Sequence, residues 1–476
     1  MTTFETSTVP GLVVLRGDPV RSVEEYLAVG GGEGLRVAHA IGPWRTAEEV
    51  TLSGLRGRGG GGFRTGRKWL SVLDAARDGE DRFVVGNGAE GEPGTFKDRA
   101  ILRHHPYQVI EGLAIAAHVA GATHAFLATK AAFTREVEIL ARALRDMAAA
   151  GLAGDIPITI VVGPDSYLIG EEKALLEVVE GEDPLPRRDP PYQHGLFTSG
   201  PSSGWSARDD LDAGDASNPT VVNNLETLAT VPHILANGAE WYRSLGTWDS
   251  PGTMVFTVVG DVVRPGYGEV ELGTPVREII DRVGGGTFPG RQIKAVFSGV
   301  SNGVLTADHL DVPATYEDLQ AAGSGLGWAG FVVYDDTADM VAVARTFARF
   351  LHVESCGQCG ACKTHSGVIS DLLARVEHGA ADDHDIEEIG ARLRIVTDQN
   401  RCFVPVELQT VVASILRAFP DEFVARLEGP LRPARLHPLP KIVDLAGGTV
   451  TYDRRAALEQ PDWTYAPLPT PERRAG

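Results

Sequence analysis

A chain of 476 residues exceeds what one hydrophobic core supports and is expected to hold two to four domains. Its 43% hydrophobic and 23% charged residues are ordinary for a globular protein, and 44 basic against 64 acidic residues give a net charge of −20, which argues against nucleic-acid and anionic-membrane partners. The start, Met-Thr-Thr-Phe-Glu-Thr, has no basic stretch ahead of an apolar one, and no run of about 18 apolar residues occurs, so no direct membrane insertion is expected. The expected location is the cytoplasm, or the inner face of a membrane through a complex, where cysteines stay reduced and more often bind metal than form disulfides.

Residues 1–50 carry few signals beyond short helices at Val23–Leu27 and Thr46–Leu52. Gly54–Trp69 then packs glycines between Arg58, Phe63, Arg67, Lys68 and Trp69. Glycine at that density lets backbone approach a ligand closely and present N–H groups as an anion nest, with the basic side chains adding charge, and phosphate is the natural guest. Gly57–Gly62 satisfies G-x-G-x-x-G, but the segment before it reads as helix rather than strand, so the dinucleotide fingerprint lacks its context.

Strands at Arg82–Asn87, His124–Thr129 and Ile156–Val162 alternate with helices at Gln108–Ala120 and Ala131–Ala149, which implies right-handed βαβ units and a parallel sheet. Ligands on such sheets bind at the carboxyl ends of the strands. Polar clusters follow there: Asn87–Thr95, Ser166–Glu172 and Pro219–Thr227, each of which also suits plain turn and capping chemistry. The Gly/Ser/Asp-rich stretch 199–217 reads as a surface insertion.

From Thr253 the pattern changes to short strands, Met254–Val259, Gly268–Leu272, Lys294–Phe297 and Phe331–Tyr334, with a helix at Val276–Val283: a β-grasp-like module. Helical patterns at Ala338–Leu351, Lys363–Glu377, Asp385–Thr397 and Val404–Ala418 suggest a small bundle, and a hairpin pattern at Lys441–Tyr452 lies in the proline-rich tail. No internal repeat is visible.

The bundle carries every cysteine of the chain: Cys356, Cys359 and Cys362 in a C-x2-C-x2-C run, and Cys402 on a remote segment. That spacing suits a [4Fe-4S] cluster, three thiolates on a tight turn and one from elsewhere. The alternatives are a zinc site with four thiolates, which more often pairs its cysteines two and two, and four unrelated thiols. His352 and His365 flank the run as possible replacement ligands.

In one order, the glycine loop, Glu92-Pro-Gly-Thr95 with Lys97-Asp98-Arg99, Gly170-Glu-Glu172, Val222–Thr227, Arg264-Pro-Gly266 and Glu354–Cys359 resemble the NADH-binding flavoprotein subunit of respiratory complex I, whose relatives serve soluble NAD-linked hydrogenases and formate dehydrogenases. The likeness spans about residues 45–425. It implies a Rossmann-like α/β domain binding FMN and nucleotide (1–245), a β-grasp SLBB-like module (250–335), a helical domain with a [4Fe-4S] cluster (336–425) and a C-terminal extension (426–476). It also implies hydride transfer from NADH to FMN, then single electrons to the cluster.

Carried over by motif, Gly57, Arg58, Gly59, Gly60 and Lys68 would cradle FMN, with Asn87 and Glu90 near the flavin. Tyr167, Gly170, Glu171 and Glu172 would line the opposite wall, and Val222, Asn223, Asn224 and Thr227 would close the site. Phe63, Glu92, Glu172 and Tyr192 match nicotinamide-nucleotide positions. Glu92 and Glu172 are assigned to the catalytic step, Glu92 orienting the nicotinamide or ribose, with no side chain acting as acid or base. Cys356, Cys359, Cys362 and Cys402 would hold the cluster. No cysteine remains for a [2Fe-2S] centre, so a thioredoxin-like partner carrying one is expected, with further iron–sulfur subunits of a larger complex.

The chain departs from the family pattern around the nucleotide pocket. Gly61, Gly62 and Arg64 stand in the loop, Ser71 replaces an adenine-flanking aromatic, Ala89 an aspartate, and Asp189 a lysine. Arg401-Cys-Phe-Val-Pro405 replaces Cys-Pro-Leu-Gly, and Ala361 and Lys363 replace proline and arginine. Two readings follow: an NADH-oxidising entry module, or a flavin and iron–sulfur relay that takes electrons from another donor. NADPH as donor and the terminal acceptor stay open.

Overall fold

The computed structural model describes residues 12–75, 80–198, 217–429 and 437–465. The expected insertion at 199–217 lies, apart from Ser217, outside them. The N-terminal domain opens with helices α1 (Val23–Ala28), α2 (Glu33–Ile41), α3 (Pro43–Leu52) and α4 (Thr65–Ala75). Helix α2 escaped the sequence because its N-terminal cap is remote: Gly32 and Leu35 donate backbone N–H to the Glu111 carboxylate at 2.7 and 2.8 Å.

Next come β1 (Phe83–Asn87), α5 (Lys97–His104), α6 (Pro106–Ala120), β2 (His124–Lys130), α7 (Thr134–Ala149), β3 (Ile158–Gly163), α8 (Glu172–Val179), β4 (Thr220–Asn224), α9 (Leu225–Asn237) and α10 (Ala239–Arg243). The sheet is parallel throughout, as expected, with order β3-β2-β1-β4. Strand β4, which the sequence presented only as amides ahead of a helix, pairs with β1 in register, Asn87 opposite Asn224. The chain runs outward from β1 to β2 and β3 and then returns to β1's other side, so β1 and β4 flank the switch point at which such sheets bind ligands. Two amides end the two strands there.

The second module has β5 (Thr253–Gly260), β6 (Gly266–Glu271), α11 (Val276–Gly284), β7 (Ile293–Ser298), β8 (Leu305–Thr306), α12 (Tyr316–Ala321) and β9 (Gly330–Asp335). Its mixed sheet has order β6-β5-β9-β7-β8, and α11 buries Val276, Ile279, Ile280 and Val283 against it, as a β-grasp requires. A bundle follows: α13 (Met340–Glu354), α14 (Gly360–Glu377), α15 (Asp383–Ile395), α16 (Val404–Ala418) and α17 (Pro420–Glu428). The hairpin of β10 (Ile442–Ala446) and β11 (Thr449–Tyr452) packs Ile442 and Leu445 into the same core as the bundle, with Phe96 and Leu168 of the first domain.

Segment 12–15 is bound to the β-grasp sheet by a single carboxylate. Leu12, Val13, Val14 and Leu15 donate N–H to Glu269 at 2.9 to 3.1 Å, and Thr253 donates its hydroxyl to the same group, which is fully buried. Removing a buried acceptor leaves its donors desolvated. Glu269→Ala is expected to lower stability by about 3 kcal/mol, read from urea midpoints, with Glu269→Gln costing less.

Candidate functional site

The glycine loop stands over the switch point. Its base is closed by Gly57 N–H to the Phe63 carbonyl at 2.8 Å and Thr65 N–H to Leu55 at 2.9 Å. Between them, the backbone N–H groups of Gly59, Gly60, Gly61, Gly62 and Phe63 donate to nothing among the described residues. A run of free amides is an anion site. It is held to the sheet by Arg58 N–H, which donates to the Thr227 hydroxyl of α9 at 2.9 Å.

Arg58, expected to add charge to the nest, turns the other way. Its guanidinium is buried and donates to the Thr253 carbonyl at 2.8 Å, to Tyr242 at 2.9 Å and to the Arg56 carbonyl at 2.8 Å. Burial behind the loop makes it an anchor to β5. Lys68 does reach the site's rim, pairing with Glu172 at 2.5 Å, and Phe63 and Tyr192 are exposed aromatics.

At the strand ends, Asn87 donates to the Gly170 carbonyl at 2.8 Å and accepts from Ala89 N–H at 3.1 Å. Asn223 accepts from the Trp69 indole at 2.8 Å. Asn224 accepts from Lys97 at 2.9 Å and donates to Asp98 at 2.7 Å. The Lys97 ammonium, fully buried, also meets Glu226 at 3.1 Å, and Arg99 pairs with Glu90 at 2.8 Å. Val222 lies in β4 between these groups and the core. Glu171 caps α8 through the N–H groups of Lys173 and Ala174, and burial pushes its carboxyl up to about 7.

The catalytic candidates differ in setting. Glu172 is half-exposed at the start of α8, whereas Glu92 is buried and bonded on both oxygens, accepting Val300 N–H and the Tyr167 hydroxyl, each at 2.6 Å. Tyr167 also lies 3.1 Å from Glu407 of α16 and donates its own N–H to Glu354 at 3.1 Å. One phenol proton serves one acceptor at a time, so Glu92 and Glu407 compete for the Tyr167 hydroxyl. Burial, with the Glu92 charge beside it, pushes Glu407 up to about 8. Sequence reading quoted Lys97 and Glu354 within motifs without giving them a site role, and passed over Glu407, since an isolated charged residue on a helix looks like surface.

The four cysteines meet where α13, α14 and α16 converge. Cys362 is buried and the other three are half-buried; Cys359 lies near Cys356 and Cys362, and Cys402 near Cys356. Burial pushes the Cys362 thiol up to about 11 and Cys402 higher still, a penalty on the thiolates that bound iron would offset. With Cys359 near Cys356 and Cys362, and Cys402 near Cys356, the four thiols gather where they can reach one shared group. That geometry fits a cube of iron and sulfide.

The Nuo51 FMN-binding domain family matches residues 50–233, the SLBB domain family 255–303, and the NADH-ubiquinone oxidoreductase-F iron-sulfur binding region 342–426. An F-type chain of the NADH-quinone oxidoreductase of Rhizobium meliloti is 37% identical over 417 residues, 85% of this chain and 94% of the relative. The chain belongs to this flavoprotein family. The NADP-reducing hydrogenase component HndC of Solidesulfovibrio fructosivorans is 34% identical over 428 residues, covering 88% of this chain and 83% of the relative. A crystal structure of an NAD+-reducing [NiFe]-hydrogenase in the H2-reduced state aligns with a TM-score of 0.74 at 31% identity, over 87% of this chain and 68% of that one. The expected fold class, FMN domain, SLBB module and iron–sulfur bundle, is borne out, and so are FMN and a [4Fe-4S] cluster as cofactors. No helix among the described residues is long and apolar enough to cross a membrane.

A buried carboxyl raised above its unfolded value stabilises the fold at low pH, and that stability is lost as pH rises through the folded value. For Glu407 the loss runs from about pH 4.5 to about 8. Glu407→Gln keeps an acceptor for the Tyr167 hydroxyl and cannot ionise. Its stability relative to wild type is expected to climb between pH 5.5 and 8, measured by urea midpoints of the loaded protein.

Proposed function

We propose that this chain is the entry module of a multi-subunit oxidoreductase, taking a hydride from NADH and passing single electrons to its cluster and on to a partner subunit. The observation that carries the reading is the row of free amides from Gly59 to Phe63 above the β1/β4 switch point, in a chain whose only four cysteines converge in its bundle. When bound, FMN supplies the conversion from a two-electron hydride to single electrons, which a [4Fe-4S] cluster accepts one at a time.

The chain's residues position and shield. The cradle takes the FMN phosphate on the amides of Gly59 and Gly60, Gly57 closes its base through the Phe63 carbonyl, and Arg58 fixes it from behind. Asn87, Val222, Asn223, Asn224 and Thr227 form the floor, with the ion-paired Lys97–Asp98–Glu226 group beneath and Glu90 locked by Arg99. Gly170 and Glu171 make the facing wall. Phe63 and Tyr192 offer aromatic faces to the nucleotide, a contact that uses both area and ring geometry. Glu172, half-exposed and held by Lys68, is the carboxylate available to nicotinamide or ribose. Glu92, bonded on both oxygens, fixes the turn that shapes this wall, and Tyr167 ties that turn to the cluster-bearing bundle. Cys356, Cys359, Cys362 and Cys402 ligate the cluster.

With all four cysteines so engaged, the next carrier belongs to another chain, for which a thioredoxin-like [2Fe-2S] subunit is the proposed candidate, followed by further iron–sulfur subunits. The donor test is anaerobic. The chain loaded with FMN, iron and sulfide is expected to lose its oxidised-flavin absorption rapidly on adding NADH, and more slowly with NADPH. A flavin that dithionite reduces and neither nucleotide does would overturn the donor assignment. In Cys402→Ser, cluster absorption and iron content should fall while NADH still bleaches the flavin.

A further inference from the structure

The turn entering β9, Gly323–Gly330, reads from the sequence as an ordinary glycine turn. In the structure it brings a large aromatic to the glycine loop. Trp328 is half-buried, and its indole lies on the Cβ side of the nest: a methyl on Gly60 would come within 2.8 Å of the indole Nε1, and one on Gly59 within 4.0 Å of Cη2. Asn224 closes the same corner, its Cβ 3.1 Å from that position on Gly59, and the Lys97 ammonium lies 5.4 Å from the indole ring centroid.

Two features point to a ligand. The indole N–H donates to no group among the described residues, which leaves a donor open beside the glycine loop. It also lies beside Gly60, whose own amide is one of the free N–H groups of the nest. Lys97 cannot serve this corner, because its ammonium is already shared among Asp98, Asn224 and Glu226. The edge of an aromatic ring carries partial positive charge, so an indole presented edge-on with a free N–H suits an anion.

We propose that Trp328 is a further flavin-site residue, donating its indole N–H to the FMN phosphate and walling the nest against water from the β-grasp side. The proposal rests on reading Gly59–Phe63 as the FMN cradle. It makes the second module a participant in cofactor binding.

The test is affinity together with fluorescence, on the full chain with its cluster reconstituted and its flavin removed. FMN and riboflavin, which lacks the phosphate, are titrated into wild type, Trp328→Phe and Trp328→Ala. A hydrogen bond to a charged group is worth about tenfold in affinity, so Trp328→Phe, which keeps the ring and loses the donor, should bind FMN about tenfold more weakly. Its riboflavin affinity should match wild type, and the tryptophan emission quenched by FMN should be smaller than in wild type by the Trp328 share. Trp328→Ala should weaken FMN further. Iron content and circular dichroism matching wild type show that a variant is folded, and Trp328→Phe decides the matter if the alanine variant is not. Wild type that fails to bind FMN would sink the cradle itself. Wild type that binds FMN, with Trp328→Phe within twofold of it or losing riboflavin affinity equally, would overturn the role of Trp328 and leave the cradle standing.

Discussion

The carboxylate of Glu92 sits at a polar junction of all three modules. It belongs to the turn after β1, accepts Val300 N–H from the β-grasp module, and accepts the phenol of Tyr167, which also meets Glu407 of the bundle. In a dry setting such a group needs every lone pair it can fill, because an unmet charge there costs far more than a bond contributes. Gly299 shows how tight the fit is: its φ of +68° excludes most side chains, and a Cβ would stand 1.9 Å from the Glu92 oxygen. Flavin domain, β-grasp and bundle therefore share one polar junction, and the wall of the flavin site inherits its rigidity.

A similar economy governs charge around the cradle. The residues that look in sequence like phosphate binders are largely satisfied by the protein itself. Arg58 faces carbonyls and phenols, Lys97 faces two carboxylates and an amide, and Arg99 faces Glu90. What remains for an anion is the loop's backbone. Backbone amides held by a closed loop base lose little freedom on binding, whereas a lysine must give up its rotamers. Placing a buried, ion-paired network beneath the nest fixes its shape without adding a competing counter-charge.

The C-terminal extension joins this scheme. Pro440 accepts the N–H of Gly94, Ile442 accepts Arg99, and Pro461 accepts the Lys363 ammonium beside Cys362. Residues beyond the matched iron–sulfur region thus bind both the flavin-side turn and the cysteine loop, so that the two halves of the electron route are held by one strap. The expectation of a proline-rich tail with a hairpin was right in form and silent on this placement.

Periodicity alone made three parallel strands, the β-grasp strands and four bundle helices legible, because each buries a regular face that repeats at 2 or 3.6 residues. The cysteine spacing carried the cluster, and ordered motifs carried the family. Other features depended on residues far apart in the chain. Helix α2 takes its cap from Glu111, β4 is a strand by virtue of β1 beside it, and Glu407 is a half-buried acid of raised pKa because Tyr167 and Glu92 stand beside it. Direction was equally invisible: Arg58 on the glycine loop and Lys68 in the helix after it are two cations of one stretch, yet one turns inward to β5 and the other outward to Glu172. Local pattern records which groups want burial or an anion, while which group meets which is settled only by the packing that brings distant segments together.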